Sequence, residues 1–65
     1  MKKCKCIQNR ESDEGSGNFL VNNFYYYDYV PNAGDHPPFY RVFNKENNSH
    51  EDIEYDEFHL FFKKY

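Results

Sequence analysis

Phe24-Tyr25-Tyr26-Tyr27-Asp28-Tyr29-Val30 is the stretch on which the fold turns. Aromatic and β-branched side chains fit a pleated, half-buried surface, so this run reads as the strongest strand of the chain. Tyr25, Tyr27 and Tyr29 form one row, and Phe24, Tyr26, Asp28 and Val30 the other. Both rows are partly apolar, so alternation alone does not say which one faces inward. On the N-terminal side, Asn22-Asn23 is a turn signal, because Asn tolerates positive φ. Phe19, Leu20 and Val21 bring the chain back to a core. Before them, Asn9 to Asn18 carries no apolar side chain and reads as a long flexible loop, about residues 10–18. Lys3 to Gln8 alternates as a first strand, with Cys4 and Cys6 on one face and Lys3 and Lys5 on the other.

On the C-terminal side, Pro31 to Pro38 must be a loop, since Pro37 and Pro38 cannot donate to a ladder. Phe39 to Phe43 is a third strand, Asn44 to Ser49 a polar hairpin turn, and residues 50–55 a weaker fourth strand. Asp56-Glu57-Phe58 suits one helical turn with Asp56 as its cap, and His59 to Lys63 then closes as a fifth strand. A single helix over 51–63 competes, because its acidic start and Lys63-Lys64 end would complement a helix dipole. Turn plus strand is the preferred reading. The expected fold is all-β with one short helical turn: one domain over residues 1–65, a small five-stranded, mostly antiparallel, partly open barrel. Phe58, Leu60 and Phe61 should anchor the end of the chain.

The chain has 65 residues, and a domain of this size buries only ~60% of its unfolded surface. Seven Tyr and seven Phe, 22% of the residues, supply most of the apolar area available for a core. The net charge is −3, from 11 acidic and 8 basic residues, a balance that argues against nucleic acid as a partner. No stretch is apolar enough to span a bilayer. The basic start at Met1-Lys2-Lys3 has no apolar run after it, so no signal peptide is expected. A cytoplasmic location is expected, where Cys4 and Cys6 would be free thiols.

Four short segments carry a resemblance. Lys3-Cys4-Lys5-Cys6-Ile7, Val21-Asn22-Asn23-Phe24-Tyr25, Phe39-Tyr40-Arg41-Val42 and Asp56-Glu57-Phe58-His59-Leu60-Phe61 follow one another over nearly the whole chain. In this order they resemble small proteins of phage and prophage origin in Gram-positive bacteria. The resemblance implies an SH3-like barrel and a bacterial host, and it implies little about activity. Asn22 stands where that pattern has a turn glycine, and the loop with Pro37 and Pro38 is longer than the pattern.

Candidate chemistry is sparse. Cys4-x-Cys6 with His36, His50 and His59 lacks the two close ligand pairs of a structural zinc site. The cysteines read instead as small core hydrophobes, and no metal or cofactor is expected. No Cys or Ser stands at a characteristic spacing from a base, and Gly15-Ser16-Gly17 lacks the strand–loop–helix context of a phosphate loop, so no enzyme is expected. The expectation is a non-catalytic module that binds and inhibits a host or phage protein through rings that a small barrel cannot hide: Tyr25, Tyr27, Tyr29, Phe39 and Tyr40. Glu51, Asp52, Glu54, Asp56 and Glu57 fall within seven positions and would add electrostatic selectivity. The alternative is an acidic mimic of nucleic acid, in which those five carboxylates imitate phosphates and block a DNA-binding defence enzyme. Direct nucleic-acid binding requires that Lys2, Lys3, Lys5, Arg41, Lys63 and Lys64 converge on one face.

Overall fold

In a computed structural model, residues 1–11, 18–45 and 48–65 are described. Five strands and one helix follow in the order β1 (Lys2–Cys6), β2 (Phe24–Val30), β3 (Phe39–Asn44), β4 (Ser49–Glu54), α1 (Tyr55–Phe61) and β5 (Phe62–Lys64). All pairings are antiparallel, in the sheet order β4-β3-β2-β1-β5. Strands β4 and β5 are the two edges, joined in sequence by α1. This is a small all-β fold with one short helix, an SH3-like and partly open barrel.

Register settles the question that alternation left open. Cys4 and Cys6 pack with Tyr27, Tyr40, Val42, Ile53, Phe58 and Phe62, each at most 3% exposed. The odd row of β2 therefore faces the core, and Phe24, Tyr26 and Asp28 face out. Inside, rings meet rings: Tyr40 stacks on Phe58 at 3.9 Å, and Phe58 on Phe62 at 5.2 Å. Such pairs contribute ~0.5–1.5 kcal/mol beyond their burial.

The stem of the first long loop is laced to the barrel. Arg10 and Phe19 exchange backbone hydrogen bonds of 2.9 and 2.7 Å. Phe19 is fully buried, edge-on to Tyr25 and Phe62. The Arg10 guanidinium reaches Glu57 at 2.6 Å and Glu51 at 3.3 Å, tying the stem to α1 and β4. Asn44, buried, donates from Nδ2 to the Asn18 carbonyl at 3.0 Å. Of the loop expected over 10–18, both ends are thus fastened, and residues 12–17 lie outside the described residues. Asn22 follows at φ 73°, in the left-handed region where Asn is tolerated.

The C-terminal segment corrects the sequence reading. Residues 59–61, expected in a strand, belong to the seven-residue helix α1, and β5 is only Phe62–Lys64. Asp56 lies in the first turn rather than at the cap. Glu54 is the N-cap residue and makes no side-chain capping bond. Leu60 is 65% exposed and anchors nothing; Phe58 and Phe62 are the buried anchors, with Phe61 half-buried. The helix turns Phe58 and Phe62 inward and leaves Leu60 outside, whereas a strand over the same residues would put all three on one face.

Candidate functional site

The ten residues expected to form one binding surface divide between the core and three different places on the surface. Tyr27 and Tyr40, expected to be exposed, are core residues at 3% and 1% exposure. The physical reason is register: both stand on inward positions of adjacent strands, with rings 5.5 Å apart. Burial pushes the Tyr27 hydroxyl above its ordinary range. Tyr25 is half-buried and its hydroxyl accepts a 2.9 Å bond from the Leu20 amide. Phe39 is half-buried on the outer face, beside His36 and Arg41.

Tyr29 alone of the expected ring set is exposed, at 47%, and the structure joins it to two residues not singled out for a surface. Tyr55 begins α1, is 45% exposed, and lies 6.5 Å from Tyr29 and 4.6 Å from His59. All three rings sit on Tyr40, whose centroid is 5.0 Å from Tyr29, 5.8 Å from Tyr55 and 5.5 Å from His59. His59 is fixed by a 2.9 Å bond between Nδ1 and the Tyr55 carbonyl. Lys64 places its ammonium 5.1 Å from the Tyr40 ring, and its hydrogen bond to the Tyr40 side chain holds its pKa above the ordinary lysine value. Beside this cluster, Pro37, Pro38, Glu54, Tyr55 and Asp56 line a recess of about 320 Å³.

The five carboxylates do not form one free row. Glu51 and Glu57 are held by Arg10, and Asp52 by Arg41, which donates to it at 2.9 and 3.3 Å. Hydrogen bonding to Asp52 raises the Arg41 pKa, with Asp28 adding to it. Glu54 and Asp56 are exposed at the rim of the proline recess.

The opposite, outer face of the sheet gathers residues that the chain separates widely. Lys3 pairs across to Tyr26, Tyr26 to Phe43, Lys5 to Phe24, and Lys5 to Lys63. The Lys3 ammonium lies 4.5 Å from the Phe24 ring, and the Lys45 ammonium 4.8 Å from Tyr26. Tyr65, tied to β1 by a 3.1 Å bond from its amide to the Lys3 carbonyl, sets its ring edge-on to Phe24 at 5.0 Å. Of the six cations that could converge, Lys3, Lys5 and Lys63 share this part of the face. Arg41 is spent on Asp52, Lys64 belongs to the Tyr40 side, and Lys2 pairs across to Tyr27 on the other row.

Cys4 and Cys6 are both fully buried free thiols. Among the described residues, no group of three or more His, Cys, Asp or Glu is arranged to hold a metal ion. No helix of the described residues is long and apolar enough to cross a membrane. No protein-family model, curated protein or solved structure matches the chain.

Proposed function

We propose that the chain is a non-catalytic binding module that docks a protein partner on the Tyr29–Tyr55–His59 cluster. The carrying observation is that these rings stand half-exposed on a rigid floor of buried Tyr40 and Phe58. Tyrosine is favoured in interfaces because it brings a large contact area with few rotors and a polar tip. Glu54 and Asp56 at the neighbouring recess favour a partner segment that carries basic residues. Following the resemblance to phage and prophage proteins, that partner is a host or phage protein in the bacterial cytoplasm, and binding is expected to inhibit it. Three of the five clustered carboxylates are engaged in ion pairs, which weighs against the acidic mimic of nucleic acid as the main reading.

The test is affinity capture from a bacterial host lysate with the immobilised domain and with its Tyr29→Ala/Tyr55→Ala variant. The protein held by the unaltered domain should be lost from the variant and should stay bound as salt rises. Equal capture by the variant would defeat the proposal. Release from the unaltered domain at moderate salt would favour the acidic mimic instead, because exposed charge pairs are screened.

A further inference from the structure

We infer that the outer face of β5, β1 and the start of β2 is a second binding surface, for single-stranded nucleic acid. The net charge of −3 describes the whole chain, whereas a ligand meets one face. Three of the six cations weighed from the sequence, Lys3, Lys5 and Lys63, share this face on the adjacent strands β1 and β5, and Lys45, just past the end of β3 and not among the six, joins them. Among the described residues no carboxylate forms an ion pair with any of the four; the described ion pairs belong to Arg10 and Arg41. Of the described carboxylates on strands and helix, none stands among these lysines: they lie on β4, on α1, and at Asp28, which with Arg41 and Asp52 forms a row farther along the sheet.

Rings are set among these cations. Phe24 is 44% exposed, Tyr26 37% and Tyr65 75%. Lys3 and Lys5, two residues apart on a strand, have backbones roughly 6.6 Å apart, a repeat that presents ammonium groups in sequence along one line. A positive track with rings beside it is the arrangement by which proteins hold single strands without reading their sequence: phosphates meet lysines and bases lie on rings. A duplex hides its bases from such rings. An anionic membrane is the competing ligand, because Met1, 78% exposed, lies beside Tyr26 and Lys45, and the vesicle arm of the test separates the two.

The inference is tested by fluorescence anisotropy with a labelled oligothymidylate of about a dozen nucleotides, near the upper site size of small single-strand binders. Binding at low salt should weaken with a log–log slope of about −3, from four lysine–phosphate contacts at about 0.7 each. Lys3→Ala/Lys5→Ala should roughly halve that slope. Tyr65→Ala should weaken binding about fivefold or more and leave the slope unchanged, the signature of a lost stacking partner. Tyr29→Ala/Tyr55→Ala should bind the oligonucleotide like the unaltered domain, so this inference and the proposed protein site fail separately. Circular dichroism melts of each variant keep misfolding apart from loss of contact. No binding at low salt would overturn the inference. So would equal affinity for a duplex of the same length, or binding to phosphatidylserine vesicles without binding to the oligonucleotide.

Discussion

Cys4 shows how much of this small core depends on what a single side chain can exclude from water. Burial pushes its thiol from the ordinary 9.0 up to about 12, the neighbouring Cys6 adds to the rise, and a backbone hydrogen bond at Tyr25 opposes it. Cys6 is raised as well, again mainly by burial. Above pH 9 the unfolded chain therefore gives up a proton that the folded chain keeps. The associated stability is complete below pH 9 and is lost as pH rises toward about 12. Urea midpoints should fall over that window, and Cys4→Ala should flatten the fall. In the folded protein at pH 8, a thiol reagent should label neither cysteine until denaturant is added. Rapid labelling of the native chain would mean that the thiols are not in the core. The inward placement of Cys4 and Cys6 was legible from the alternation Lys3-Cys4-Lys5-Cys6. The role of Arg10 was not, because its partners Glu51 and Glu57 lie more than forty positions away in sequence and meet it only through the fold.

Helix α1 and strand β5 are where local sequence and tertiary structure compete. Tyr55 favours strands, Glu54 offers no capping bond, and seven residues are too few to make a helix that stands alone. The helix is held by what it buries, chiefly Phe58 between Tyr40 and Phe62. Phe58→Ala should cost about 3–5 kcal/mol, most of the stability of so small a domain. Leu60→Ala should change stability by no more than about 0.5 kcal/mol, since its side chain is exposed. Thermal melts by circular dichroism separate the two, and equal losses would contradict the helix. Ending the chain at Glu57 should abolish folding. Ending it at Phe62 should also be costly, although Lys63 and Lys64 are exposed, because they pair with Lys5 and Cys4 and cover the edge of β1. That cost is not legible in the charges of Lys63 and Lys64, which say nothing of the backbone pairing the two residues make. Strand β2, by contrast, was legible to its exact ends, since seven consecutive residues are all compatible with a pleat except Asp28.

The whole molecule is a barrel with two unlike aromatic faces. On one side Tyr29, Tyr55 and His59 crown the core beside the exposed carboxylates of Glu54 and Asp56; on the other, Phe24, Tyr26 and Tyr65 lie among lysines. Neither face could be assembled from the sequence, because each draws on segments that only strand pairing brings together. The net charge concealed the separation of acidic from basic groups. Both binding proposals rest on one structural statement, that Tyr27 points in and Tyr26 points out. A slip of one residue in the pairing of β2 would exchange the two rows and erase both faces. Photochemically induced nuclear polarisation of tyrosine reads that placement, because the dye reaches only exposed rings. Strong signals from Tyr26, Tyr29, Tyr55 and Tyr65, with Tyr27 and Tyr40 silent, are the expected result. A strong signal from Tyr27 with Tyr26 silent would contradict the register and the account built on it.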